Sequence, residues 1–235
     1  MSTSAKGNET LVAIDGPTAS GKSTVARMLA QHFGWYYLST GLLYRAVGYL
    51  LVRDFRYNET TLADPKHEDL MACVSGLEYE YRDGVAVVLH KGREITADLK
   101  TKDVDRYASI IAANVKVRHE MLQLQRVLVQ GKSIVVEGRD IGSVVLPHAD
   151  VKFFITASLP ERARRWQQDQ AGKGKQYSFA EAEGVVAERD HRDETRVHSP
   201  MKISPEAYVI DNTHLNQKET LQRMVEIINA YKQRL

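Results

Sequence analysis

The run Gly16-Pro17-Thr18-Ala19-Ser20-Gly21-Lys22-Ser23-Thr24 constrains this chain more than any other stretch. It satisfies the spacing glycine, four residues, Gly-Lys-Ser/Thr, and its flanks fit as well. Leu11-Val12-Ala13-Ile14-Asp15 is a short apolar run of strand character. Val25-Ala26-Arg27-Met28-Leu29-Ala30 has the spacing of an amphipathic helix. Strand, glycine turn and helix in that order form a phosphate-binding loop. The glycines let the backbone turn tightly and aim successive N–H groups at phosphate oxygens, and the positive end of the helix adds to that field. In such a loop Lys22 reaches the β- and γ-phosphates of a nucleoside triphosphate, and the Ser23 hydroxyl ligates Mg²⁺.

The rest of the chain bounds the setting. A length of 235 residues suits one α/β domain with insertions or two small domains. A formal net charge of +2 gives no reason to expect a nucleic-acid polymer or a membrane surface as partner. The single cysteine, Cys73, excludes an intramolecular disulfide and a cysteine-rich zinc site. Residues 1–9 are polar and read as a disordered tail without the apolar stretch of a signal peptide, and no run approaches a membrane span. A cytoplasmic enzyme is the expectation.

Strand-like runs at Leu11–Asp15, Trp35–Leu38, Ile134–Glu137, Val151–Ile155 and Tyr208–Asp211 alternate with helical patterns at Lys22–Phe33, Leu42–Val52, Val117–Val129, Pro160–Gln170 and Lys218–Lys232. That alternation predicts a parallel sheet covered by helices on both faces. Two segments break it. From Leu77 to Ile95 the chain alternates like half-buried strands, with turns at Asp83-Gly84 and Lys91-Gly92, which predicts a small antiparallel sheet inserted at 55–100. The segment 167–205 is charged on almost every face, and composition alone reads it as a solvated helix held by ion pairs one turn apart.

A phosphate loop does not say what becomes of the nucleotide. The Asn-Lys-x-Asp element that accompanies guanine recognition is absent. The arginines are more informative. Arg45 stands one turn into the second helix, and Arg139 directly follows the strand Ile134–Glu137. In a parallel sheet both fall just beyond the carboxyl ends of strands, where ligands bind. Each is either a helix-cap or surface ion pair, or one of a second set of guanidinium forks facing a phosphorylated acceptor.

Four segments in order carry a more specific pattern: Ile14-Asp15-Gly16-Pro17 with Gly21-Lys22-Ser23-Thr24; Ser39-Thr40-Gly41 with Tyr44-Arg45; Glu137-Gly138-Arg139-Asp140-Ile141-Gly142-Ser143-Val144-Val145; and Glu188-Arg189-Asp190 with Arg192-Asp193. With them the chain resembles the bacterial cytidylate kinases, nucleoside monophosphate kinases, over essentially its whole length after the tail. The resemblance implies transfer of the γ-phosphate of ATP to CMP or dCMP, with Mg²⁺, in a monomer. It also implies a P-loop core formed by 10–54, 101–166 and 206–235, a monophosphate-binding insert at 55–100 and a helical lid at 167–205.

Carried over position by position, the resemblance gives Gly16 to Thr24 to ATP. It gives Arg45 and Arg139 to the acceptor phosphate, with Tyr44 beside them on the acceptor side. Thr40, Ser109, Arg118 and Asp140 fall around the cytosine, Arg189 and Asp193 near the sugar, and Arg196 among the lid arginines near the phosphates. Lys22, Arg139, Arg189 and Arg196 are the implied catalytic groups. A carboxylate at Asp140 suits the N4 amino donor of cytosine and would face a carbonyl in uracil. Two positions depart from the family pattern. Ser39 stands where Asp is common, and Lys100 where Arg is usual, and a lysine lacks the bidentate fork.

An acceptor phosphate with a second pKa near ~6 is already a dianion at neutral pH, so no general base is needed. Asp15 and Glu137, at strand ends, either orient Mg²⁺-bound waters or cap a neighbouring helix. The histidines at 119, 148, 191, 198 and 214 lack metal spacing and read as surface or loop residues, and Trp35, Tyr36 and Tyr37 as strand packing. Two other readings share the phosphate loop. One is a small-molecule or nucleoside kinase that phosphorylates a hydroxyl and needs a carboxylate base. The other is an ATP-binding switch that makes no product.

Overall fold

The computed structural model describes residues 9–234, so residues 1–8 of the expected tail lie outside the described residues. Five strands form the main sheet: β1 (Leu11–Asp15), β2 (Tyr36–Ser39), β6 (Ile134–Glu137), β7 (Val151–Thr156) and β8 (Tyr208–Asp211). Their order is β2-β6-β1-β7-β8 and every pairing is parallel. Each strand lies within a residue of its expected span.

The period-two pattern of these strands explains why the sheet is covered on both sides. Ala13, Leu38, Ile134 and Val136 face one core, which they share with α2 (Thr40–Phe55), α4 (Lys102–Ile111) and α5 (Val115–Leu128). Val12, Ile14, Tyr37, Val135 and Phe153 face the other, against α1 (Lys22–Phe33) and α8 (Gln217–Lys232). β6 is buried along its whole length and β1 and β7 nearly so, as a parallel sheet requires, while the edge strand β8 buries only Ile210.

The small antiparallel sheet is present as β3 (Leu77–Arg82), β4 (Val85–His90) and β5 (Arg93–Glu94). It leans on β2 through Tyr36, whose hydroxyl donates to the Tyr79 carbonyl and accepts from the Tyr81 N–H at 2.9 Å. Two helices lie outside the expected set, α3 (His67–Val74) and α4. The signal for α4 is present in the sequence, since Val104, Ala108 and Ile111 fall on one face, but it is mixed with residues that favour strands.

Helix α6 (Leu159–Gly172) follows β7, and α7 (Phe179–Thr195) packs back along it. Here the composition misleads. Helix α7 is not solvated all round: Ala182, Val186, Asp190 and Asp193 are buried along one side, so its inner stripe begins apolar and ends in carboxylates. The ion pair expected on its outer face, Glu188 with Arg192, spans 3.9 Å at exposed positions and contributes little.

Because all five strands run the same way, Asp15, Ser39, Glu137, Thr156 and Asp211 end along one edge. The segments that leave that edge build the candidate site.

Candidate active site

The loop leaving β1 is shaped by close contacts. A side-chain carbon at Gly16, which has φ +151°, would run into the carbonyl oxygen of Ile155 on β7. Only glycine lets β1 turn there against its neighbour. Gly21 is left-handed and caps α1, and the Thr24 and Val25 N–H groups return to its carbonyl. The loop is braced from outside by Asn212, which donates to the Ser20 carbonyl at 2.9 Å and accepts from Arg165 at 2.9 Å. Ser23 is exposed on the first turn of α1.

Lys22 is buried, and its Nζ donates to the Pro17 carbonyl at 2.9 Å. Burial, helped by the positive charge of Arg139, brings it down to about 7. It is therefore a cation without sufficient counter-charge, in a loop whose ligand is expected to be anionic.

A chain of ion pairs runs from this loop across the sheet edge. Arg139 leaves β6, donates its Nε to Asp193 at 2.8 Å and its Nη2 to the Thr18 hydroxyl at 3.2 Å. Burial pushes Asp193 up, but Arg139 and Arg189 outweigh it and hold the carboxyl below its ordinary range. Asp140 pairs with Arg118 on α5 and, at 3.2 Å, with Arg196 at the end of α7. Arg45 pairs with Asp105 of α4 at 2.5 Å. Arg189 alone of these arginines makes no ion pair with a described carboxylate. Burial and the charge of Arg139 press its guanidinium below its ordinary value, which marks a cation in search of an anion.

Thr40 donates its hydroxyl to the Glu137 carbonyl at 2.9 Å, and Gly138 can lie against Thr40 and Ile141 only because it lacks a side chain. Tyr44 sits beside Arg118, whose guanidinium carbon is 5.9 Å from its ring centre. The Ser109 hydroxyl is buried without a partner. Arg196 stands with Asp140 and Arg118 rather than beside Lys22, which is nearer to Arg139 and Arg189. Lys100 is exposed.

The two strand-end carboxylates divide. Asp15 accepts from the N–H groups of Ile141 at 2.7 Å and Gly142 at 2.8 Å, so it caps the short π-helical turn Ile141–Val145. Burial raises it to about 6 despite those two donors. Glu137 accepts the Ser39 hydroxyl at 2.5 Å, so the serine that departs from the family pattern is occupied in holding a carboxylate. The five histidines read as surface residues are all exposed, and Trp35 stacks on Phe33 at 4.4 Å.

Sequence reasoning missed three contributors. Arg162 and Asp190 pair and grip the loop at Thr18. Their signal is weak, since Asp190 becomes an inner residue only once α7 is known to have a buried side. Gln125 lies on the face of α5 that carries Arg118 and Leu122. With Tyr44 and Val145 these residues line a cavity of about 280 Å³. Gln125 Oε1 and Arg118 Nε are buried there without partners.

Among the described residues no three His, Cys, Asp or Glu side chains could cage a metal, and no helix is long and apolar enough to cross a membrane.

Residues 12–230 match the family model described as cytidylate kinase. The chain is 36% identical over 218 residues to the cytidylate kinase of Magnetococcus marinus, covering 92% of this chain and 94% of that protein. It is 37% identical over 217 residues to that of Thermotoga neapolitana, covering 92% and 96%. A solved structure, an uncharacterised protein from Eubacterium ventriosum, shares the fold with a TM-score of 0.51 at 13% identity, covering 95% of this chain and 99% of that one.

Proposed function

The chain belongs to the cytidylate kinase family, and from that premise we propose that it transfers the γ-phosphate of ATP to CMP or dCMP, releasing ADP and CDP or dCDP. The observation that carries this reading is the chain of cations running from Lys22 through Arg139 and Arg189 to Arg118 and Arg196. It is suited to two phosphorylated ligands meeting end to end.

In this reading the loop from Gly16 to Thr24 holds the donor, with the Thr18 N–H staying on Asp190 and the free loop amides turned to the phosphates, and Lys22 leaves the Pro17 carbonyl for them. Arg45 and Arg139 hold the acceptor phosphate, exchanging Asp105 and Asp193 for phosphate oxygens. Arg189, the unpaired cation, faces the transferring group. Asp140, Arg118, Ser109, Thr40 and Tyr44 receive the base, Asp193 with Arg189 the sugar, and Arg196 closes with the lid toward the phosphates. Catalysis then rests on positioning and on fixed positive charge around a loose in-line transition state. The segment 167–205 acts as the lid and 55–100 as the acceptor-binding insert, both moving on the core to exclude water.

With no acidic cage among the described residues, Mg²⁺ fits here as a partner of the nucleotide, with the exposed Ser23 hydroxyl as its protein ligand. When bound it would neutralise phosphate charge. We carry into the same reading the monomeric state and the cytoplasmic setting.

A kinase acting on a hydroxyl would need a free carboxylate base. Asp15, Asp140, Asp190 and Asp193 are all engaged by backbone amides or arginines, and Glu137 by Ser39. The discriminating experiment is ADP formation in a coupled assay with CMP, dCMP, UMP, AMP and GMP as acceptors. Strong dependence on CMP or dCMP supports the reading. ADP formation indifferent to every acceptor contradicts it.

A further inference from the structure

All three polar groups of Thr18 are taken, each by a different segment. Its N–H donates to Asp190 Oδ1 at 2.7 Å, its carbonyl accepts from Arg162 at 3.0 Å, and its hydroxyl accepts from Arg139 at 3.2 Å. Arg162 also pairs with the second oxygen of Asp190 and is anchored on the Ala157 carbonyl at 2.9 Å, just past β7. Arg139 pairs in turn with Asp193, one turn beyond Asp190 on α7. Thr18, Arg162 and Asp190 are all buried.

Helix packing alone does not account for this. A buried ion pair is a poor fastener, because desolvation cancels most of its attraction, and apolar side chains would hold α6 to α7 as well. Apolar side chains could not grip a peptide group. The N–H of Thr18 and the carbonyl of Pro17 belong to one rigid peptide plane. Asp190 holds the N–H side of that plane, and Lys22 rests on the carbonyl side at 2.9 Å. The seat of α7 therefore sets the resting place of Lys22.

Resting on the function proposed above, we propose that Asp190 with Arg162 forms a positioning latch that couples the two nucleotide sites. Helix α7 carries Asp193 and Arg189 on the acceptor side, and Asp190 on the donor loop. Each ligand that favours the seated helix strengthens the binding of the other, and the strengthening is reciprocal.

The test is calorimetric titration of the full chain with a non-hydrolysable imido analogue of ATP with Mg²⁺, with and without saturating CMP. The reciprocal titration with CMP completes the cycle. Wild type should show about fivefold or greater mutual tightening. Asp190→Asn should reduce that factor to below about twofold, and CMP should still bind on its own. Should that variant fail to fold, Arg162→Lys, which keeps the charge but loses the fork, reads the same factor. Absence of coupling in wild type, or full coupling in a folded variant, overturns the latch. Failure of CMP to bind wild type at all sinks the function reading instead, which separates the two.

Discussion

Arg139 donates to Asp193 at 2.8 Å, joining the arginine that leaves β6 to a carboxylate on the inner side of α7. The arginine is thereby held ready, neutralised, beside a loop whose own lysine rests on the Pro17 carbonyl and not on a carboxylate. An incoming phosphate dianion offers both cations a better partner than they have.

Replacing Arg139 by alanine should lower kcat by about 10²–10³-fold or more, the range for loss of one charge-stabilising donor. The protein should remain folded by circular dichroism, since Asp193 keeps Arg196 within 3.8 Å. Near-normal turnover of the folded variant would remove Arg139 from the site.

The base-reading role of Asp140 is tested by Asp140→Asn, which keeps the volume. The amide can donate to a carbonyl where the carboxylate could only accept. The CMP-over-UMP ratio of kcat/KM should fall by about tenfold or more. An unchanged ratio assigns Asp140 to holding Arg118 and Arg196 alone. Alanine is a poorer probe, because it strands two buried guanidiniums at a cost of about 3–5 kcal/mol.

Lys22 near 7 in the free protein has a consequence for pH. Bound phosphates favour its charged form and raise its pKa, so binding above about pH 7 takes up a proton. Affinity for the ATP analogue should therefore fall as pH rises from about 7 toward the pKa of the complex. Titrations in buffers of differing ionisation enthalpy should register that proton uptake in wild type and lose it in Lys22→Met.

Two glycines should respond oppositely to alanine. Gly16→Ala forces a side chain into the Ile155 carbonyl and should destabilise the protein by about 2 kcal/mol or more. Gly184, inside α7 with nothing within 4 Å and no positive φ, should gain about 0.5–1 kcal/mol from the same change. Chemical denaturation of both variants checks the pair.

How much of this was legible in the sequence depended on whether the signal was local. β1 and the loop announced themselves because strand period, glycine spacing and helix period all sit within about twenty residues of chain. Arg45 and Arg139 follow strands, which a parallel sheet brings to one edge, whereas Asp140 is singled out only by the family resemblance. The inner stripe of α7 was hidden, because its lower half is Asp190 and Asp193, and periodicity methods look for apolar residues. The bracing of the loop by Arg162 and Asn212 was equally hidden, since each contact spans more than 140 residues of sequence. Asp15 shows the same limit from the other side. Its position at a strand end fits orienting Mg²⁺-bound waters or capping a helix, and the cap becomes visible only with the two N–H groups of Ile141 and Gly142.

The account stands most directly on where the terminal phosphate goes. ATP labelled in the γ-phosphate, incubated with the protein, Mg²⁺ and CMP, should deliver its label to CDP, with little appearing as inorganic phosphate. Label released as inorganic phosphate at the same rate with or without CMP would contradict the account.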